Sequence, residues 1–169
     1  MNRTLAPTLG LLAALLFSGS GLTDERVGLV VEAQLGGDAE IIELRHRDAV
    51  RSGDGVRFQL ESERAAYVYL LALGSSGKVV ALQPFSGDAE DARLEGGERR
   101  EIPQSGIFLP FDNNPGREVL FAFGADDASL DLPRLIDELS QLGTPETVKT
   151  ALEKRYPRLV TLELQHLPS

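Results

Sequence analysis

The sequence predicts a mainly β protein: an antiparallel β-sandwich with a C-terminal helical pair and a closing strand. Three observations carry that prediction. Residues 67–84 read as two apolar runs around Gly74-Ser75-Ser76-Gly77-Lys78, a hairpin signal. Elsewhere, short runs alternate apolar and polar residues between Gly- and Asp-rich turns, as half-buried strands do. After Asp127 the apolar period lengthens to that of a helix, then returns to two at Val160.

The hairpin stands at the centre of this scheme. Both alternating faces of its two runs, residues 67–73 and 79–84, are apolar or aromatic, which fits strands covered on both sides. In chain order, residues 27–35 come first, with Val27, Leu29, Val31, Ala33 and Leu35 on one face. Gly36-Gly37-Asp38 turns the chain into a second strand over 41–47, where Ile42 and Leu44 share a face with His46. Residues 51–55 punctuate again before Val56, Phe58 and Leu60 alternate with Arg57, Gln59 and Glu61.

Beyond the hairpin, residues 85–100 are polar and turn-rich. Glu101-Ile102-Pro103 reads as the end of an edge strand, since proline cannot donate to a ladder. Residues 106–111 add a short strand, and Asp112 to Gly116 form a turn cluster before a buried strand over 118–123. Leu132, Leu135, Ile136, Leu139 and Leu142 then recur at helical spacing, with Asp131 as cap and Gly143 as stop. Thr144-Pro145 opens a second helix through Val148, Ala151 and Leu152, which Pro157 ends. The helical pair spans 131–156 and the closing strand 159–167, where Val160, Leu162 and Leu164 alternate with Thr161, Glu163 and Gln165. Each terminal strand needs a neighbour, so the two are expected to meet in one sheet or to flank it closely.

A chain of 169 residues, 42% of them apolar, has the size and core of one domain. Its net charge of −9 repels phosphate backbones and anionic lipid, so no nucleic-acid partner is expected. Without cysteine there are no disulfides, thiolate metal sites, cysteine nucleophile or acylated cysteine. The N-terminus reads as a signal peptide over 1–20. Arg3 supplies the basic start, residues 5–17 the apolar stretch, and Ser18 and Ser20 the −3 and −1 positions of a cleavage site. That stretch falls short of the roughly 20 residues a membrane span needs. The expectation is a single exported domain over 21–169, periplasmic or secreted, with no stable membrane span after cleavage.

No catalytic, cofactor-binding or metal-ligating residue is assigned, and no cofactor is expected. His46 and His166, the two histidines, each lie one strand period beyond an apolar pair. Converging rings would make a metal or acid–base site; without ligand spacing such as His-x-x-x-His, both read as polar residues at the rim of a strand face. Gly-Ser-Ser-Gly at 74–77 is a hairpin turn and not a nucleophile elbow, which argues against a serine hydrolase. Glu61, Glu63, Asp88, Glu90, Asp91 and Glu118 are candidates for paired-carboxylate chemistry, which needs a cleft and a fixed separation. Asp88, Glu90 and Asp91, or Asp112 with Asn113 and Asn114, have oxygen ligands for calcium but not EF-hand spacing. Tyr67, Tyr69, Phe85, Phe108, Phe111, Phe121 and Phe123 read as core packing ahead of a sugar platform, tryptophan being absent. Phosphate-loop and dinucleotide glycine motifs are absent.

An ordered series of turn and strand signatures runs through the middle of the chain. It comprises Gly53-Asp54 with Val56 and Phe58, Tyr67 to Leu71, Gly77-Lys78-Val79, Leu82 to Pro84, Gly97-Glu98, Ile102-Pro103 and Pro115-Gly116-Arg117-Glu118. Over about residues 48–125 the series resembles the bacterial domain-of-unknown-function family 4384. The resemblance implies a non-catalytic β module, found in exported or envelope proteins or beside peptidase, kinase or other signalling domains, with no catalytic residues to carry over. Gln83 and Phe85 depart from it, an apolar residue and an asparagine being more usual around the proline. The functional expectation is an exported, non-catalytic domain that binds another envelope or secreted protein. The alternatives are a carboxylate-dependent envelope hydrolase and an assembly factor that docks a partner through its helical pair.

Overall fold

The computed structural model describes residues 26–36, 40–104 and 106–169; the expected signal peptide over 1–20 and the expected mature start at Gly21 lie outside them. The fold is mainly β: among the described residues 44% are in strands and 17% in helices, the latter including a 3₁₀ turn. Eleven strands and two helices succeed one another among the described residues: β1 (Val27–Gln34), β2 (Ile41–Leu44), β3 (Ala49–Arg51), β4 (Gly55–Ser62), β5 (Ala66–Leu73), β6 (Val79–Gln83), β7 (Arg93–Leu94), β8 (Arg99–Ile102), β9 (Leu109–Pro110), β10 (Gly116–Ala125), α1 (Leu132–Ser140), α2 (Pro145–Arg155) and β11 (Val160–Leu167).

The strands divide between two sheets. One runs β2-β1-β4-β8, with β9 beside β4 in line with β8. The other runs β3-β11-β10-β5-β6, with β7 beside β5. They pack face to face around Val31, Phe58 and Leu60 from the first sheet and Val68, Leu70, Leu120 and Leu164 from the second. The outer face of the first sheet is polar; Arg57 and Gln59 of β4 bond there to Glu32 of β1. The outer face of the second sheet carries Tyr69, Leu71, Leu73, Val119, Phe121 and Phe123, and the helices cover it with Leu132, Leu135, Leu139, Val148 and Leu152. This double cover explains why β5 and β10 read as unbroken apolar runs while β4 alternates.

Capping sets the helices where the sequence predicts. Asp131 accepts from the Arg134 N–H at 3.1 Å, and Thr144 Oγ1 from that of Thr147 at 3.3 Å. The turn between them passes through Gly143 at φ +74°, a conformation glycine adopts without cost.

Several expectations are corrected. β6 is an edge strand, and Val80 is 49% exposed, so only the first strand of the hairpin is covered on both sides. The second strand stops at Leu44, before His46. Arg51, expected to begin a turn, instead ends β3, which forms because β11 offers residues 49–51 an edge; among the described strands that pairing alone is parallel. The polar stretch 85–100 contains a 3₁₀ turn (Ala89–Ala92), β7 and the start of β8. Of the two arrangements expected for the terminal strands, the shared sheet is not formed, and they lie close to one another across the core instead. β1 belongs to the first and β11 to the second, because β4 and β10 complete their ladders from nearer in the chain.

Candidate functional site

The order of strands leaves one flank of the sandwich open. On that flank β6 edges the second sheet, while β8 and β9 edge the first, and a seam runs between them. Two cavities occupy it. One, of about 750 Å³, is lined by Leu82, Phe85, Ile102, Pro103 and Leu109, with Glu90, Asp91, Glu98, Arg100 and Glu101 among its polar residues. The other, of about 350 Å³, lies under Val80, with Phe58, Phe111, Lys78, Asp112 and Glu118 around it. Leu82 and Leu109 line both, so the cavities adjoin.

Local sequence builds the walls. Val80 and Leu82 alternate along β6 with Val79 and Ala81, which pack towards the helices; the first pair therefore faces the first sheet. Opposite Val80 no strand among the described residues of that sheet closes the gap, which accounts for its exposure. Pro84 and Pro103, each after a cis peptide bond, lie where β6 and β8 end. Phe85, just beyond, is 89% exposed. Phe108 lies over Gly55 so closely that an added Cβ there would meet its Cβ at 2.7 Å, and the Arg57 guanidinium stands 5.0 Å from its ring.

Behind Phe111, Asp112 and Glu118, which line the smaller cavity, lies a polar cluster that sequence reasoning missed. His166, 3% exposed, bonds through Nε2 to Ser52 Oγ at 3.0 Å and packs on the Phe111 ring, centroids 5.1 Å apart. Its Nδ1 has no hydrogen-bond partner and stands 3.7 Å from Glu118 Oε1 and 3.9 Å from Asp112 Oδ1. Burial pushes the Glu118 carboxyl above its ordinary range, against the opposing pull of the Ser75 N–H and the His166 ring. Asp112 is held below its ordinary range, first by the Asn114 side-chain amide and then by the Asn114 backbone N–H.

Serine, imidazole and carboxylate thus stand in a row, but not as a working triad. Neither carboxylate is within hydrogen-bonding distance of Nδ1. The N–H groups of Ser52, Gly53 and Asp54 already donate to Leu167, Phe111 and Arg51 carbonyls, which leaves none of the three free for an oxyanion.

The other sequence candidates separate. His46 is exposed, and its Nδ1 accepts from the Glu163 N–H at 3.3 Å; the rim reading holds for it and fails for His166. The two rings share no hydrogen-bond partner. Glu61 pairs with Arg99, Asp88 caps the 3₁₀ turn and Asp91 accepts from Ser86, so these carboxylates serve the fold. Among the described residues no group of three or more His, Asp or Glu side chains is placed to hold a metal ion. Of the aromatics, Tyr69, Phe121 and Phe123 are core, as expected, and Phe85 is not. The one signal for His166 was its place on the face of Leu162 and Leu164; its burial depends on Phe111 and Glu118, which no local pattern links to it.

Fold and seam together define a two-sheet β domain backed by helices on one face and left open along one flank. Residues 49–127 match the family model described as Domain of unknown function (DUF4384), so the resemblance read over about 48–125 is shown. That segment runs from β3 to just beyond β10 and contains every strand that borders the seam. No match to the chain was found among curated proteins or among solved structures.

Proposed function

We propose that this is an exported, non-catalytic domain of the bacterial cell envelope that binds another protein along its open flank. The observation that carries the reading is the apolar surface left there. Phe85, Val80 and Leu109 are exposed and line the two adjoining cavities of the seam together with other apolar side chains. Among the described residues no helix is long and apolar enough to cross a membrane. The helices spend their apolar faces on the second sheet, which weakens the alternative of docking through the helical pair; Leu142, in the turn, is the exposed apolar residue there.

A photo-reactive residue at position 85 tests the reading in cells. Adducts of higher mass are expected from position 85 and not from position 149 on α2. Equal yields at the two positions, or none from 85, would refute binding at the seam. Export is tested by intact mass of the envelope-fraction protein. Loss of residues 1–20 would remove Arg3 and leave all acidic residues, a net charge of −10; recovery of the full-length chain from the cytosol would refute export.

The hydrolase reading has one specific observation in its favour. Glu118, whose carboxyl burial pushes up, and Asp112, which its bonds to Asn114 hold down, both line the smaller cavity, a divergence that acid–base chemistry uses. Under the binding reading, Glu118→Gln leaves the adduct yield at position 85 unchanged.

A further inference from the structure

Resting on the protein-binding reading above, we propose that the seam's occupant is an extended segment of a partner that adds to β6 as a new edge strand and carries Lys or Arg among apolar residues. Three observations converge on it. The first is the edge itself. Among the described residues β6 pairs with β5 alone, and no hydrogen bond from outside β5 reaches the backbone of residues 80–83; at Val79 the Ser140 hydroxyl accepts from the N–H. Val-Val-Ala-Leu-Gln carries none of the charges or prolines that keep an open edge from pairing.

The second is the shape of the space beyond that edge. A strand laid along β6 would run over the seam, with every second side chain on the side of Val80 and Leu82. Those side chains recur about every 7 Å, and the two adjoining cavities lie along the same line, divided by Leu82 and Leu109. Strand addition with alternate side chains in sockets is an established mode of recognition. Phe85, almost fully exposed at the end of β6, would cover one end of such a strand.

Charge gives the third. Arg100, the base that lines the larger cavity, already bonds Glu98 and the carbonyls of Asp91 and Arg93. Glu90 meets a tyrosine hydroxyl and Asp91 a serine hydroxyl, and among the described residues no cation pairs with either of them or with Glu101. Three uncompensated carboxylates around an apolar socket favour a cationic strand and reject an acidic one. They also argue against a second copy of this chain, which would bring the same rim and a net charge of −9 to the contact.

The probe is a pair of capped decapeptide pools, each alternating a mixture of Val, Ile, Leu, Phe and Tyr with Lys in one pool and Glu in the other. The Lys pool is expected to bind at least about tenfold more tightly, with amide NMR shifts concentrated at residues 79–83 and 99–102. Phe85→Ser should weaken it, and Glu101→Lys should narrow the preference; both positions are exposed, and the melting temperature checks the fold. N-methylation at alternate Lys-pool residues, in the register that faces β6, should abolish binding, because it removes the ladder donors. Equal binding of the two pools, binding by neither, indifference to N-methylation in both registers, or a dimer that buries Val80 would each overturn the proposal. If adducts still form at position 85 in cells when the pools fail, protein binding at the seam survives and only the cationic strand falls.

Discussion

A histidine enclosed in a core must settle both ring nitrogens, and His166 has settled one. Ser52 holds Nε2; Nδ1 faces two carboxylates without bonding either. Replacing His166 with Gln takes the ring from the Ser52 hydroxyl and from its packing on Phe111, a loss of about 1–3 kcal/mol in urea unfolding. His46→Gln, at an exposed position, should stay within about 0.5 kcal/mol. Comparable effects from the two variants would contradict the assignment of His166 to the core. Glu118 sets a pH dependence of definite sign. Its folded carboxyl holds its proton more tightly than the unfolded one, so its contribution to stability is full below the ordinary carboxyl range and is lost as pH rises through the raised folded value. Stability measured from pH 4 to pH 8 should therefore decline more steeply in the natural protein than in Glu118→Gln. Parallel curves for the two would show that burial does not perturb this group.

At the scale of elements, the sequence made legible whatever depends on near neighbours. The turn at 74–78, the caps Asp131 and Thr144, and the alternation of β4 are each fixed within a few residues, and each stands where expected. Distribution of strands between sheets depends on distant partners and was not legible. Residues 49–51 become a strand because the end of the chain pairs with them, and β6 is left open because β8 and β9 belong to the other sheet. The seam was visible only as an oddity, Phe85 beside Pro84 where asparagine is usual. The helices offer a quantitative check on the local part. Asp131→Ala should cost about 1 kcal/mol, as loss of an N-cap does, and a change under about 0.2 kcal/mol would mean that packing of Leu132, Leu135 and Leu139 alone positions α1.

For the whole molecule, the segment matching the family ends at residue 127, yet its second sheet is completed by residues C-terminal to that point. β11 pairs with β10 over seven residues and with β3 over three, and α1 and α2 cover Tyr69, Phe121 and Phe123. A chain cut after Asp127 would expose that apolar face and an open edge on β10 together. It is expected to aggregate or to melt far below the full-length protein; a fragment of residues 40–127 with an undiminished melting temperature would show the C-terminal segment to be an appendage.

The parallel joint between β3 and β11 also governs time. Ala49, Val50 and Arg51 are made well before the residues they pair with, Gln165, His166 and Leu167, which come only after α2. Until those have emerged, β10 lacks a neighbour on one side and His166 is not there to meet Ser52. A chain threaded through a pore from its N-terminus therefore cannot lock its second sheet while β11 remains behind.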